Sequence, residues 1–146
     1  MTTKLSPHFT LEELVATQHR KIDNRPKSAA LVDALRETAG NMETVRAILG
    51  DRVVTISSGY RCPALNKAVG GAKASAHLSG LAVDFNCYGF GSPLAVCRAI
   101  AGSGLPFDQL IEEGTWVHVS FDPRMRRQVL TKRPGGGYLA GLRQAA

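Results

Sequence analysis

Eleven residues constrain this chain more than any other stretch: Ser75-Ala76-His77-Leu78-Ser79-Gly80-Leu81-Ala82-Val83-Asp84-Phe85. They set a histidine and an aspartate seven positions apart with small and apolar residues between. A third candidate, His118, lies in Trp116-Val117-His118-Val119-Ser120-Phe121, where apolar and polar residues alternate as in a half-buried strand. Two imidazoles and one carboxylate are a complete protein ligand set for a catalytic zinc, which keeps its fourth position open. Whatever the fold, it has to bring these two stretches together.

The order of local signals gives the fold class. Thr10-Leu11-Glu12-Glu13 is a capping box that opens a short helix to about Thr17, with Phe9 and Leu14 as its staple. Pro26 suits a helix first turn. Leu31, Leu35, Met42, Val45 and Leu49 then recur at helical spacing up to Gly50. Val53–Ser57 and Leu81–Asn86 read as strands, and Pro63–Val69 as one or two helical turns. Ser92-Pro93 caps a helix that ends at Gly102. Phe107–Glu113 and Trp116–Phe121, split by Gly114-Thr115, form a hairpin. The expected class is α+β: a small antiparallel sheet with helices packed on one side.

At 146 residues the chain is one domain's worth. Its charge divides it at residue 121. Residues 122–146 carry Arg124, Arg126, Arg127, Lys132, Arg133 and Arg143 against Asp122, which is five of the six net positive charges. The expected organisation is therefore a domain over 1–121 and a basic C-terminal tail or extension over 122–146, solvated and able to attract an anionic polymer. Three cysteines, Cys62, Cys87 and Cys97, with no CxxC spacing, read as free buried thiols. No apolar run is long enough to span a bilayer, and Met1–Pro7 has no apolar signal-peptide core. A monomer, cytoplasmic when synthesised, is the expectation. The basic tail lacks a recognition motif or interleaved aromatics, which argues against a nucleic-acid partner.

Strand alternation sorts the remaining candidates. Trp116, His118 and Ser120 share one face, and Gln109, Ile111 and Glu113 share a face of the preceding strand. Glu112 alternates to the other side. A carboxylate beside the metal is the general base of many metallopeptidases, and Glu113 is the choice over Glu112. Arg61 follows a strand and a Gly-Tyr turn, where a guanidinium can clamp a carboxylate in a bidentate pair. His8 and His19 read as structural.

Ser58-Gly59-Tyr60-Arg61, Leu65-Asn66, Gly70-Gly71, Ser75-x-His77-x-x-Gly80-x-Ala82-x-Asp84 and Trp116-Val117-His118 together resemble the M15 zinc peptidases. That group holds D-Ala-D-Ala carboxypeptidases, vancomycin-resistance dipeptidases and phage L-alanyl-D-glutamate endopeptidases. Phe9-Thr10-Leu11-Glu12-Glu13-Leu14 is similar to the start of the small phage-type members. The resemblance implies a hedgehog/D-Ala-D-Ala-peptidase fold and zinc (Zn2+) held by His77, Asp84 and His118. It implies Glu113 as catalytic base, with Arg61 and Ser75 on the substrate. In some members the glutamate lies three residues before the second histidine. Here Thr115 holds that position, and the Glu-Gly-x-Trp-Val-His form resembles the small phage and bacterial branch. The implied activity is hydrolysis of stem-peptide bonds in peptidoglycan, as a phage or prophage lysis enzyme acting on the cell wall after release. A D-Ala-D-Ala carboxypeptidase, or a zinc-containing binding module without activity, remains the alternative.

Overall fold

Ser28 starts the longest helix. Its hydroxyl accepts the Leu31 N–H at 3.2 Å, and α2 runs Ala29–Ile48. The helix thus begins at Ala29, three residues after the Pro26 that suggested a start. Leu35, Ala39, Met42 and Val45 form its buried stripe. The computed structural model describes residues 2–144. Before α2 come a small antiparallel pair, β1 (Lys4–Ser6) and β2 (Phe9–Thr10), and a short helix α1 (Leu11–Val15). The capping box at Thr10 and Glu13 is formed in both directions, and Phe9 and Leu14 are buried against the core.

The main sheet has six strands: β3 (Thr55–Ser58), β4 (Ala82–Asn86), β5 (Gln109–Glu112), β6 (Val117–Ser120), β7 (Gln128–Lys132) and β8 (Tyr138–Ala140). Their spatial order is β3-β4-β6-β5-β7-β8. Neighbours are antiparallel except β5 and β7, which run parallel. The class is α+β as expected, but the sheet is mixed and two strands larger than the sequence indicated. Between β3 and β4 lie α3 (Pro63–Ala68) and a 3-10 turn (Ala76–Ser79), and α4 (Pro93–Ala101) precedes β5.

One face of the central strands presents Val83, Phe85, Leu110, Val117 and Val119 to the core, where α4 adds Val96, Cys97 and Ile100. Burying each such side chain is worth about 1.5–3 kcal/mol, so this face decides the register. The three cysteines are free and buried in this core. The opposite face carries Asp84, His118 and Ile111 in one lateral row, because the register pairs both Asp84 and Ile111 with His118.

Residues 122–144 extend the sheet rather than trail from the domain, which corrects the reading of a solvated tail. Gln109 to Glu112 pair with Gln128 to Thr131, and β8 returns antiparallel on β7. The connecting turn is anchored by Asp108. Its carboxylate accepts the Arg126 N–H at 3.1 Å and the Arg126 guanidinium at 2.8 and 2.9 Å. Arg127 donates to the carbonyls of Leu105 and Ser103 and lies over the Phe107 ring. Met125 and Arg127 take positive φ of 43° and 51°. Non-glycine residues hold such angles only where surrounding contacts over-determine them, and the Asp108 and Phe107 contacts do so here. Among the described residues, no helix is long and apolar enough to cross a membrane.

Candidate metal centre

Asp84 and His118 face each other directly across the β4–β6 pair. His77 reaches them from the 3-10 turn. Ser75 caps that turn by accepting the His77 N–H at 3.2 Å. Gly80 ends it at φ 71°, turning the chain into β4 against Leu35, and a side chain there would be strained.

The His77 ring is 2% exposed, and its Nδ1 lies 2.6 Å from the Gly59 carbonyl oxygen. A carbonyl only accepts, so Nδ1 carries the hydrogen and Nε2 keeps a lone pair. Gly59 can take this place because it has no Cβ: one there would collide with the Leu14 carbonyl oxygen. Nε2 is buried without a hydrogen-bond partner, and it sits 3.3 Å from Asp84 Oδ1. Two lone pairs thus face each other. His118 Nδ1 approaches the same oxygen at 3.0 Å, and the two imidazoles lie 5.2 Å apart between ring centroids.

This arrangement fits a metal ion on its own geometry. One ligand atom from each of His77, Asp84 and His118 lies within 4.8 Å of the others, and among the described residues this is the trio able to hold an ion. Ligands at ~2.0–2.1 Å from a tetrahedral ion sit roughly 3.3 Å apart, which is the His77–Asp84 separation. An unpartnered buried nitrogen lone pair costs stability unless something fills it, and a cation does so. Burial pushes the Asp84 carboxyl up, yet hydrogen bonding from His118 holds it well below the usual carboxylate range. It is therefore the anionic member of the set.

All six residues singled out from sequence line one cavity of about 320 Å³: Arg61, Ser75, His77, Asp84, Glu113 and His118. Glu113, just past the end of β5, accepts the Trp116 indole N–H at 3.2 Å. Burial, followed by the charge of Asp84, pushes its carboxyl up from the ordinary value. Glu112 points to the other face, where Arg133 binds its carboxylate at 2.5 Å. Arg61 is held on three sides at 3.3 Å, by Ser58 Oγ, Asn66 Oδ1 and Asp84 Oδ2. His8 lies apart, paired with Glu43 at 2.7 Å, and His19 is exposed.

Sequence reasoning missed the groups that hold this site in place. Asn24, in a stretch that reads as a polar loop, is buried. Its amide donates to the carbonyls of Val15 and Tyr60 and its oxygen accepts the Cys62 N–H, which fixes the turn carrying Arg61. No local pattern marks it. Arg124 and Tyr138, from the C-terminal segment, also line the cavity.

A family model described as Peptidase M15 matches residues 7–120. No curated protein matches the chain at a significant level.

Proposed function

The chain belongs to the M15 peptidase family, and from that premise we propose that it is a zinc peptidase that hydrolyses peptide bonds in peptidoglycan stem peptides. The observation that carries this is the buried His77 lone pair facing Asp84 and His118, with Glu113 in the same cavity. His77, Asp84 and His118 would hold the ion. When bound, zinc polarises a carbonyl and makes water acidic enough to attack at neutral pH. The fold type that goes with this reading is that of the hedgehog/D-Ala-D-Ala-peptidase group.

The chain's own residues do the rest. Glu113 takes a proton from the attacking water as its oxygen bonds to the scissile carbonyl carbon. Its raised basicity, from burial and from Asp84, suits that role. As the C–N bond breaks, the same carboxyl delivers the proton to the leaving amine. Arg61 presents the remaining N–H groups of its fork to a D-amino-acid carboxylate, with Nε and Nη1 steadied by Ser58 and Asn66. The Ser75 oxygen already accepts the His77 N–H, so its hydroxyl hydrogen is free to donate to the substrate backbone.

The cavity continues past the ligands to Gln109, Ser120 and Arg124, and this length favours an endopeptidase that holds chain on both sides of the bond. A phage or prophage lysis enzyme, released to the wall, is the context that this reading takes from the similarity of Phe9–Leu14 to the small phage-type members. Mass spectrometry of purified muropeptides after incubation with the zinc-loaded protein tests it. Internal stem-peptide cleavage is expected. Loss of terminal D-Ala alone would make it a carboxypeptidase, and unchanged muropeptides would leave a binding module.

A further inference from the structure

The C-terminal strand pair carries a side chain to the mouth of the metal site from outside the residues that the family model matches. The parallel register pairs Glu112 with Thr131, so Glu113 and Lys132 come next along their strands and share the site face. Lys132 in turn pairs with Tyr138. Trp116, Glu113, Lys132 and Tyr138 therefore form one lateral row, and Trp116, Glu113 and Tyr138 line the cavity that holds His77, Asp84 and His118.

Tyr138 is 59% exposed on an edge strand, yet it is held in place. The Lys132 ammonium lies 5.8 Å from its ring centroid, a cation–π contact. Lys132 is itself tied to the carbonyls of Arg133 and Gly136, which fixes the ammonium that steadies the ring. Partial burial and the charges of Glu113 and Asp84 push the phenol up, so it is a neutral donor at physiological pH. The turn at Gly135 to Gly137 is what returns Tyr138 to this place.

We propose that Tyr138 is a substrate-contacting residue: its hydroxyl donates a hydrogen bond to the stem peptide on the Glu113 side of the metal site. Residues 122–144 then belong to the active site and help to set which peptide is held. This rests on the peptidase reading above for the class of ligand.

The test is binding to the zinc-loaded Glu113→Gln protein, with the free pentapeptide L-Ala-γ-D-Glu-L-Lys-D-Ala-D-Ala as probe. Trp116, the chain's single tryptophan, lines the cavity and reports binding by fluorescence, with calorimetry as a second readout. Adding Tyr138→Phe is expected to raise Kd roughly three- to tenfold, the value of one net hydrogen bond, and to leave the melting temperature unchanged. Tyr138→Ala should raise it at least as much. Tyr88→Phe, exposed and away from the cavity, should change nothing. Equal Kd with and without the Tyr138 hydroxyl overturns the proposal, even in an active enzyme. A peptide that binds with this dependence but is left uncut by the wild type removes the peptidase reading and keeps the contact. A peptide that does not bind removes both.

Discussion

Asp84 and Asp108 are both almost fully buried, 6% and 1% exposed; Asp84 lies in β4 and Asp108 immediately precedes β5. Around Asp108, in the β5–β7–β8 half, the neighbours are guanidinium groups. Arg126 binds it as a two-pronged fork and Arg124 adds a longer contact at 3.4 Å. Arginine is permanently charged, so the group is complete as it stands. Around Asp84, in the β3–β4–β6 half, one oxygen faces two imidazoles and the other meets Arg61 at 3.3 Å. His77 is held as the tautomer that turns a lone pair inward, and that lone pair is unpartnered. Burial of a carboxylate is common to both halves. What separates structure from function is whether the surrounding donors already carry the compensating hydrogens and charge.

The strongest test of this contrast is metal content. His118→Ala should lose the one bound zinc and all measurable hydrolysis, while Asp108→Asn keeps zinc at one per chain. Elemental analysis of the purified variants reads this directly. A wild type that is fully active without metal would break the comparison at its root.

Next in size is the pair of adjacent glutamates. Glu113→Gln should keep zinc and fold but lose ~10²–10⁴-fold in kcat, the range for a general base. Glu112→Gln removes a partner of Arg133 and should lower the melting temperature while turnover stays within a few-fold. If the two variants exchange behaviour, the assignment of faces is wrong.

Arg61→Lys should cut kcat/KM by roughly tenfold or more with charge retained, because a point charge replaces a fork. Near-normal turnover would make Arg61 a scaffold residue that steadies Asp84.

The smallest expected effect falls on the arginine-paired half. Asp108→Asn should cost about 2 kcal/mol of stability, from hydrogen bonds to a charged group. Hydrogen bonding from Arg126 holds the Asp108 carboxyl below its ordinary value of 3.8. Its contribution is therefore fully present above that value and is lost as pH falls through the folded-state value. Melting curves of wild type and Asp108→Asn should stand apart at neutral pH and converge in acid below the lowered folded-state value. A gap that persists there would mean that shape, not charge, supplies the difference.

Charge patterning misled where alternation did not. Arg124, Arg126 and Arg127 read as a solvated basic run, and Arg126 and Arg127 are instead bound within the molecule by Asp108, Leu105, Ser103 and Phe107. A run of arginines looks alike whether solvated or stitched down, because their partners are far away in sequence. β7 was hidden for a similar reason: its Gln128–Lys132 run is only partly buried and pairs with β5 across a parallel register. Parallel neighbours need a connection too long for any local turn signal.

The sequence by itself determined what depends on neighbours a few residues apart. The capping box at Thr10, the buried stripe of α2 and the alternation that puts His118 opposite Val117 and Val119 are all set by backbone periodicity and short-range hydrogen bonds. The two-histidine, one-aspartate set is legible for the same reason. Tertiary structure alone decided the rest. It selected the His77 tautomer through the Gly59 carbonyl, and it gave Glu112 to Arg133 while leaving Glu113 in the cavity. It also brought Tyr138 to the mouth of the site. Each of these depends on which group lies across a gap closed by long-range strand pairing, and no spacing along the chain encodes that.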